Sequence, residues 1–360
     1  MKYKGIVRYW LISGCVLVFF QVVIGGVTRI TGSGLSITKW EIVTGTLPPS
    51  SKTAWEAEFD LYKETPQYKK INQGMSLKEF KFIYFWEFFH RLWARMMGFI
   101  FLFPFIFFIV KKWIDPWMIR QLGIVIFWAA MAAVFGWIMV ASGLVERPWV
   151  NAYKLSAHLG IALMTFSFLL WGTFRSFSIN EAAINNTKIY RWAKWFMFAL
   201  CLQIFFGAVL SGMRAALYYP SWPDLNGHYL PDVLFDSSSW SKENILNYDK
   251  DAFMPALIHV LHRNWGYFVY FFGLYLCYRI FTYPLRRIYY RAAILMFVLL
   301  NLQVLLGILT LINTSEAIPL FYGVMHQAVA LCILSVALFN LFMYKRRKYP
   351  NVRNEHILDD

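Results

Sequence analysis

Eight apolar runs, at about residues 9–31, 82–110, 121–144, 153–174, 192–213, 256–278, 291–312 and 320–344, take up most of this 360-residue chain. Each approaches or exceeds the roughly 20 predominantly apolar residues that a helix needs to cross a bilayer. Helices, which satisfy their own backbone, are the only open-ended way to do so. Hydrophobic residues make up 59% of the chain and charged residues 15%, against about 45–50% and 25% in soluble domains. The expected fold is all-α: a polytopic membrane protein with eight transmembrane helices. Trp and Tyr gather at the run ends (Tyr9-Trp10, Trp113, Trp117, Trp149, Tyr344), as in interfacial belts.

The formal net charge of +15 is distributed topologically, which excludes a nucleic-acid surface as its explanation. Lys111, Lys112 and Arg120 lie between runs two and three. Arg175, Lys188, Arg191 and Lys194 lie between four and five, and Arg279, Arg286, Arg287 and Arg291 between six and seven. Lys2, Lys4 and Arg8 precede the first run, and Lys345 to Lys348 follow the last. With eight spans all these clusters fall on one side, so the positive-inside rule puts both termini in the cytoplasm. The first run has no small-residue cleavage site after it and no Arg/Ser-rich leader before it, and reads as a span. Cys15, Cys201, Cys277 and Cys332 all fall in apolar runs, where they read as packing residues rather than a loop disulfide.

The chain also repeats itself. Gln-x-x-x-Gly occurs at Gln21/Gly25, Gln203/Gly207 and Gln303/Gly307, while the third run keeps only Gly136. His-Arg occurs at His90-Arg91 and His262-Arg263. His262 lies 172 residues after His90, His326 lies 168 after His158, and Gly307 lies 171 after Gly136. Two similar four-helix halves, 1–180 and 181–360, are expected. They would have the same orientation and be related about the membrane normal. The long connections, about 32–81 and 214–255, are too long for plain turns. They read as lids, the first carrying short amphipathic helices. Their Trp and Tyr residues serve equally well as interfacial anchors.

Of only seven histidines, His90, His158, His262 and His326 each sit near the start of an apolar run. Ionisable groups at that depth are costly and tend to face a bundle interior. Runs two and four point the same way, so His90 can face His158, and His262 can likewise face His326. Two imidazoles per half suffice for axial haem ligation but are sparse for zinc, which takes three or four ligands. Glu87 lies three residues before His90, on the same helical face, and its counterpart is His259. Glu87 is either a partner for Arg91 or a loop lysine, or a proton-handling group that makes the first half chemically active. Arg91 and Arg263 suit a haem propionate or interfacial lipid. His259 is a substitute base or a hydrogen-bonded partner. His228 and His356 read as surface residues.

These residues resemble the haem A synthase family, in its proteobacterial and mitochondrial branch. The similarity is carried by Gly25-Gly26-Val27-Thr28-Arg29, Thr31 to Ser36, Trp40 through Pro48-Pro49, and Glu79 to Ile83 leading into Glu87-Phe88-Phe89-His90-Arg91. It continues in Ser142 to Glu146, Leu155 to Gly160, Ser211 to Ala215, Trp222 to Gly227 and His262-Arg263. The resemblance implies an oxidoreductase that converts the C8 methyl of haem O, its substrate, to the formyl of haem A, its product. On that pattern His90 and His158 face the substrate haem, His262 and His326 ligate a resident haem b, and Glu87 is catalytic. No cysteine pair stands in the first long loop, so thiol chemistry is not implied there. Implied partners are a haem O synthase, an electron-transfer protein, the cytochrome oxidase assembly machinery and the lipid bilayer, with self-association left open and no nucleic acid. The alternative is a dihaem b-type membrane electron-transfer protein. A haem transporter would leave Glu87 unexplained.

Overall fold

In the computed structural model the described residues are 3–38, 47–143, 147–177, 187–283, 285 and 287–344. Most of Trp40 to Pro49, Leu144 to Glu146, Lys2, Arg286, Lys345 to Lys348 and His356 lie outside them. Eight long helices occupy the eight apolar runs. They are α1 (Gly5–Ile30), α4 (Leu77–Val110), α5 (Pro116–Gly143), α6 (Ala152–Ser176), α7 (Thr187–Gly212), α10 (Phe253–Phe281), α11 (Arg287–Ile312) and α12 (Leu320–Tyr344). The shorter α2 (Lys52–Lys63), α3 (Pro66–Lys70), α8 (Ala215–Tyr218) and α9 (Lys242–Leu246) lie in the two long connections. No strand occurs among the described residues.

Seven of the long helices are apolar enough along their length to cross a membrane. The chain is therefore an all-α, multi-pass membrane protein. α10 is the eighth long helix, with 29 residues, but it carries His259, His262, Arg263, Asn264 and Arg279. These polar groups keep it below the apolarity of its neighbours.

Burial orders the bundle. In α12, 67% of the apolar stretch is buried, against 11% in α4 and in α5. α12 packs on α1, α6, α7 and α11, and α6 packs on α1, α5 and α7, so α1, α6, α7 and α12 form the centre. α4 and α5 stand at the periphery, where Phe99, Phe103, Phe127 and Trp137 face outward. In a bilayer that is a lipid-facing surface.

α4 runs 34 residues from a capping box, in which Ser76 Oγ accepts from Glu79 N and Glu79 Oε2 accepts from Ser76 N at 2.8 Å. At about 1.5 Å per residue it exceeds the roughly 30 Å hydrocarbon thickness, so its first turns project beyond the bilayer. There α2 lies against them, with Phe59 stacked on Phe80 at 4.9 Å and Tyr62 buried beside Ile83 and Tyr84. The first connection thus folds into short helices, as its composition predicts.

Small residues set the closest helix approaches at the centre. Gly212, at the end of α7, lies against the start of α6 so closely that a Cβ there would fall 2.6 Å from Ala152 Cα. Arg29 of α1 donates to the Ser211 and Gly212 carbonyls, where a helix C-terminus favours a cation. Gln327 Nε2 ties α12 to α1 through the Val22 carbonyl at 2.8 Å. Gly212→Ala should lower stability by about 1–3 kcal/mol. Gly123→Ala, whose Cβ would meet nothing within 4 Å, should leave it unchanged or raise it slightly. Thermal unfolding of the two detergent-purified variants makes the comparison.

Candidate functional site

Each of the four histidines lies against a glycine of a neighbouring helix. A Cβ on Gly25 would fall 3.1 Å from His90 Cε1, and one on Gly136 3.1 Å from His158 Cε1. For Gly207 with His262 and Gly307 with His326 the distance is 2.9 Å. The glycines stand near the ends of α1, α5, α7 and α11, and the histidines near the starts of α4, α6, α10 and α12. All four imidazoles are therefore at one end of the bundle, the end that carries the two long connections. Any larger residue at the glycine would push the ring away.

One turn before three of these glycines, a glutamine amide meets the same ring. Gln21 Nε2 is 3.3 Å from the ring nitrogens of His90, Gln203 Nε2 is 3.2 Å from His262 Nδ1, and Gln303 Nε2 is 3.2 Å from His326 Nε2. His326 Nδ1 also lies 3.0 Å from the Gln303 carbonyl oxygen. An N–H donated there fixes the tautomer and leaves the Nε2 lone pair to accept from the Gln303 amide. On α5 the matching position is Ala132, so His158 has no glutamine amide beside it and meets only the Ala132 backbone. His262 and His326 are in ring contact, with centroids 6.4 Å apart and planes at 73°. A single metal bound by an imidazole nitrogen from each side, at about 2 Å per bond, matches that spacing.

Glu87 is buried in α4 and completely engaged. Its Oε2 accepts from Ser36 N and Ser36 Oγ, both at 2.7 Å, and from Ile37 N at 2.9 Å, while Oε1 accepts from Arg91 at 2.5 Å. Donors on both oxygens are what a buried carboxylate requires. Arg91 thus turns to Glu87 four residues before it, the pairing that i,i+4 spacing allows. Ser36 and Ile37 belong to the first long connection, which is held on the carboxylate directly.

At the counterpart positions of α10, His259 is buried beside the Tyr219 ring, with its Nδ1 unpartnered. Arg263 donates to the Pro223 carbonyl at 2.7 Å and the Tyr229 carbonyl at 3.0 Å. Trp222 Nε1 reaches Tyr267 Oη at 3.2 Å, and Tyr229 Oη reaches Asn264 at 2.5 Å. The second connection is therefore laced to α10. Its own turn is held by Asp224, which accepts from Ser221 Oγ and Gly227 N. Those donors keep the Asp224 carboxyl below its usual range. Arg147 and Trp149 also reach this connection through Asp249, at 2.8 Å and 3.1 Å. Burial pushes Asp249 up and Arg147 opposes it. His228 is on the surface, 3.9 Å from Asp232.

One cavity of about 970 Å³ reaches all four histidines, together with Glu87, Arg91, His259 and Arg263. Its volume suits a large, flat, mainly apolar ligand. Among the described residues no three His, Cys, Asp or Glu side chains converge as a metal cage. Four sequence-selected histidines and Glu87 thus come to one space. Sequence reasoning missed the glutamines as imidazole partners, although their repeat was visible, and it missed Ser36 and Ile37, which are distant in the chain.

Fold and site together define a multi-pass membrane protein with two half-buried imidazole pairs opening on a common apolar cavity. The chain matches the COX15-CtaA model, described as cytochrome oxidase assembly protein, over residues 8–338, and it belongs to that family. It is 36% identical over 336 residues to a protein named heme A synthase from Flavobacterium johnsoniae, covering 92% of this chain and 96% of the relative. A protein of the same name from Nitrosospira multiformis is 36% identical over 339 residues, 92% of each chain. Another from Caulobacter sp. is 37% identical over 334 residues, 92% of this chain and 94% of the relative.

The Glu87–Arg91 pair has a measurable consequence. Arg91→Met, which leaves the carboxylate short of its charged donor, should destabilise the protein by about 3–5 kcal/mol. Glu87→Gln added to Arg91→Met should restore part of that loss. A double-mutant cycle on thermal unfolding measures the coupling.

Proposed function

We infer that the chain is a haem A synthase, oxidising the C8 methyl group of haem O to a formyl group. Family membership supports the reaction class. The observation that carries the assignment of roles is an asymmetry: two imidazole pairs share one construction, but only the first has a carboxylate beside it, Glu87, where the second has His259.

On this reading the chain comprises two four-helix halves, 1–180 and 181–360, with α10 as the eighth span. Supporting the halves, Trp93 Nε1 donates to Leu17 O at 3.0 Å, and Trp265 Nε1, 172 residues later, donates to Ala199 O at 2.9 Å. The basic connections assign both termini to the cytoplasm, leaving the imidazole pairs at the opposite face. Haem O synthase, an electron-transfer partner and the oxidase assembly machinery are the partners this role requires.

His90 and His158 face the substrate haem, and His262 and His326 hold a resident haem b. The residues fit the resident group: an imidazole from each side, a glycine behind each ring that leaves no room for the ring to retreat, and a glutamine beside each. When bound, that haem supplies a store for electrons leaving the substrate. Converting a methyl to a formyl adds one oxygen atom; with water as its source, four electrons pass to the electron-transfer partner and four protons are released, and positive charge develops at the reacting carbon. Glu87, fixed by Ser36, Ile37 and Arg91, sets a preorganised negative charge beside that site. Arg91 limits how far that charge can move. Arg263, held by the second connection, covers the resident site. The apolar walls exclude water from the rest of the macrocycle. A dihaem electron-transfer role is less well supported, because all four imidazoles lie at one end of the bundle rather than at two depths.

Two outcomes test this reading. Haem extracted after incubation with haem O should show formylated product with the unaltered protein. Glu87→Gln should retain the resident haem but convert haem O at least about 10²-fold more slowly, measured as product per mole of folded protein. Turnover near the unaltered level would defeat the assignment of Glu87. His262→Ala and His326→Ala should each lose most of the low-spin bis-imidazole spectrum, while His158→Ala keeps it. An unchanged optical and EPR spectrum in both variants would exclude that pair as the resident ligands.

A further inference from the structure

The C-terminal half closes its cavity between α10 and α11 with specific contacts. Tyr270 Oη donates to Asn301 Oδ1 at 3.0 Å, and Cys277 Sγ donates to the Ala293 carbonyl at 3.4 Å. Gly273 admits Leu300 so closely that a Cβ on the glycine would fall 2.5 Å from it. At the repeat spacings of 172 and 171 residues, the N-terminal counterparts of Tyr270 and Asn301 are Gly98 and Ala130. Those of Gly273 and Leu300 are Phe101 and Ala129, and those of Cys277 and Ala293 are Phe105 and Leu122. Every element of the closure is replaced. Phe101 turns instead to α1, stacking on Trp10 at 4.7 Å. α10 packs along α11, whereas α4 does not pack along α5 among the described residues.

Exposure follows the same division. Ala94, Gly98, Ile100, Ala129, Ala130 and Ala133 line the cavity and are also exposed. The cavity-lining residues of α10 and α11, Leu300 and Tyr270 among them, are buried or half-buried. A Cβ on Gly98 would meet nothing within 4 Å. The wall beside the His90/His158 pair is therefore open to the bilayer, through a gap lined by small and aliphatic groups.

We propose that the gap between α4 and α5 is a lateral binding site for a long apolar isoprenoid tail, which extends from the cavity into lipid while its macrocycle lies at His90 and His158. The identity of the tail as that of haem O rests on the proposed function. The physical case for an apolar occupant does not. Small side chains at 98, 129, 130 and 133 leave width for a methyl-branched chain. The surroundings are hydrocarbon, so a tail lying there loses no water-accessible apolar burial and needs no closed pocket. A macrocycle without such a tail gains nothing from the gap, and the closed α10–α11 seam matches a resident group that does not exchange.

Transplanting the closure tests the site. Gly98→Tyr with Ala130→Asn recreates the Tyr270–Asn301 pair across α4 and α5, and Gly98→Trp with Ala130→Trp fills the gap without relying on a hydrogen bond. In proteoliposomes, both should load haem O at least about tenfold more slowly. Loading of haem B, which lacks the tail, the resident haem spectrum and the melting temperature should not change. Loading of haem O at the unaltered rate in both variants, or equal slowing of haem O and haem B, would overturn the proposal. A photoactivatable farnesol analogue should label α4 and α5 in the unaltered protein and spare α10 and α11. Equal labelling of the two seams would also overturn it. These readings are independent of turnover: a protein that binds the tail but forms no haem A contradicts the functional reading and leaves the site standing.

Discussion

The contact of each imidazole with a glycine on the neighbouring helix is the constraint on which the rest of the structure depends. With no side chain on Gly25, Gly136, Gly207 or Gly307, the histidine ring comes up to the helix backbone itself. The ring is thereby stopped at one depth and turned toward the cavity rather than along its own helix. Because the glutamine lies one turn earlier on the same helix, its amide reaches the ring from the same side. Helix spacing, ring direction and hydrogen-bond supply therefore come from one four-residue pattern, used three times in full and once without its glutamine. The cavity is the space left between rings so placed.

Much of this was legible in the sequence, because membrane helices announce themselves by length and composition. The run at 320–344 coincides with α12, and 291–312 ends with α11 at Ile312. α4 begins five residues before its apolar run, since the projecting turns are held by a cap and by α2 rather than by lipid. A partner in Arg91 was one of the readings left open for Glu87 beside a loop lysine and a proton-handling role, and the structure shows that ion pair. The Ser36 and Ile37 contacts were not readable, because they join residues about 50 positions apart through a connection with no periodic pattern. The donation of the Arg263 guanidinium to two loop carbonyls was not readable either, because no local rule fixes the path of that loop. The Gln-x-x-x-Gly repeat was visible as a repeat. Its physical meaning appears only once a histidine from another helix is set opposite the glycine.

Three departures from the repeat give the two sites different properties, and all three fall in the N-terminal half. Glu87 replaces the position of His259, Ala132 replaces that of Gln303, and Gly98 with Ala130 replace Tyr270 with Asn301. The first introduces charge, the second removes the glutamine amide from beside His158, and the third leaves the wall open. A ring with one neighbouring amide fewer is held less firmly, and an open wall lowers the barrier to exchange. Both are useful where a molecule must arrive and leave, and harmful where a group must stay.

The long connections extend this division beyond the bilayer. The second is tied to α10 at Arg263, Asn264 and Tyr267 and to the 147–149 segment through Asp249. Several independent bonds would have to break together before it lifted. The first connection meets α4 at Glu87 through Ser36 and Ile37, so its seat is the same carboxylate that distinguishes the N-terminal site. Displacing those residues would leave Oε2 without its three donors in an apolar setting, at a substantial free-energy cost. The charge therefore holds the first connection as much as the connection holds the charge, and the orientation of Glu87 and the seating of Ser36 and Ile37 are set together.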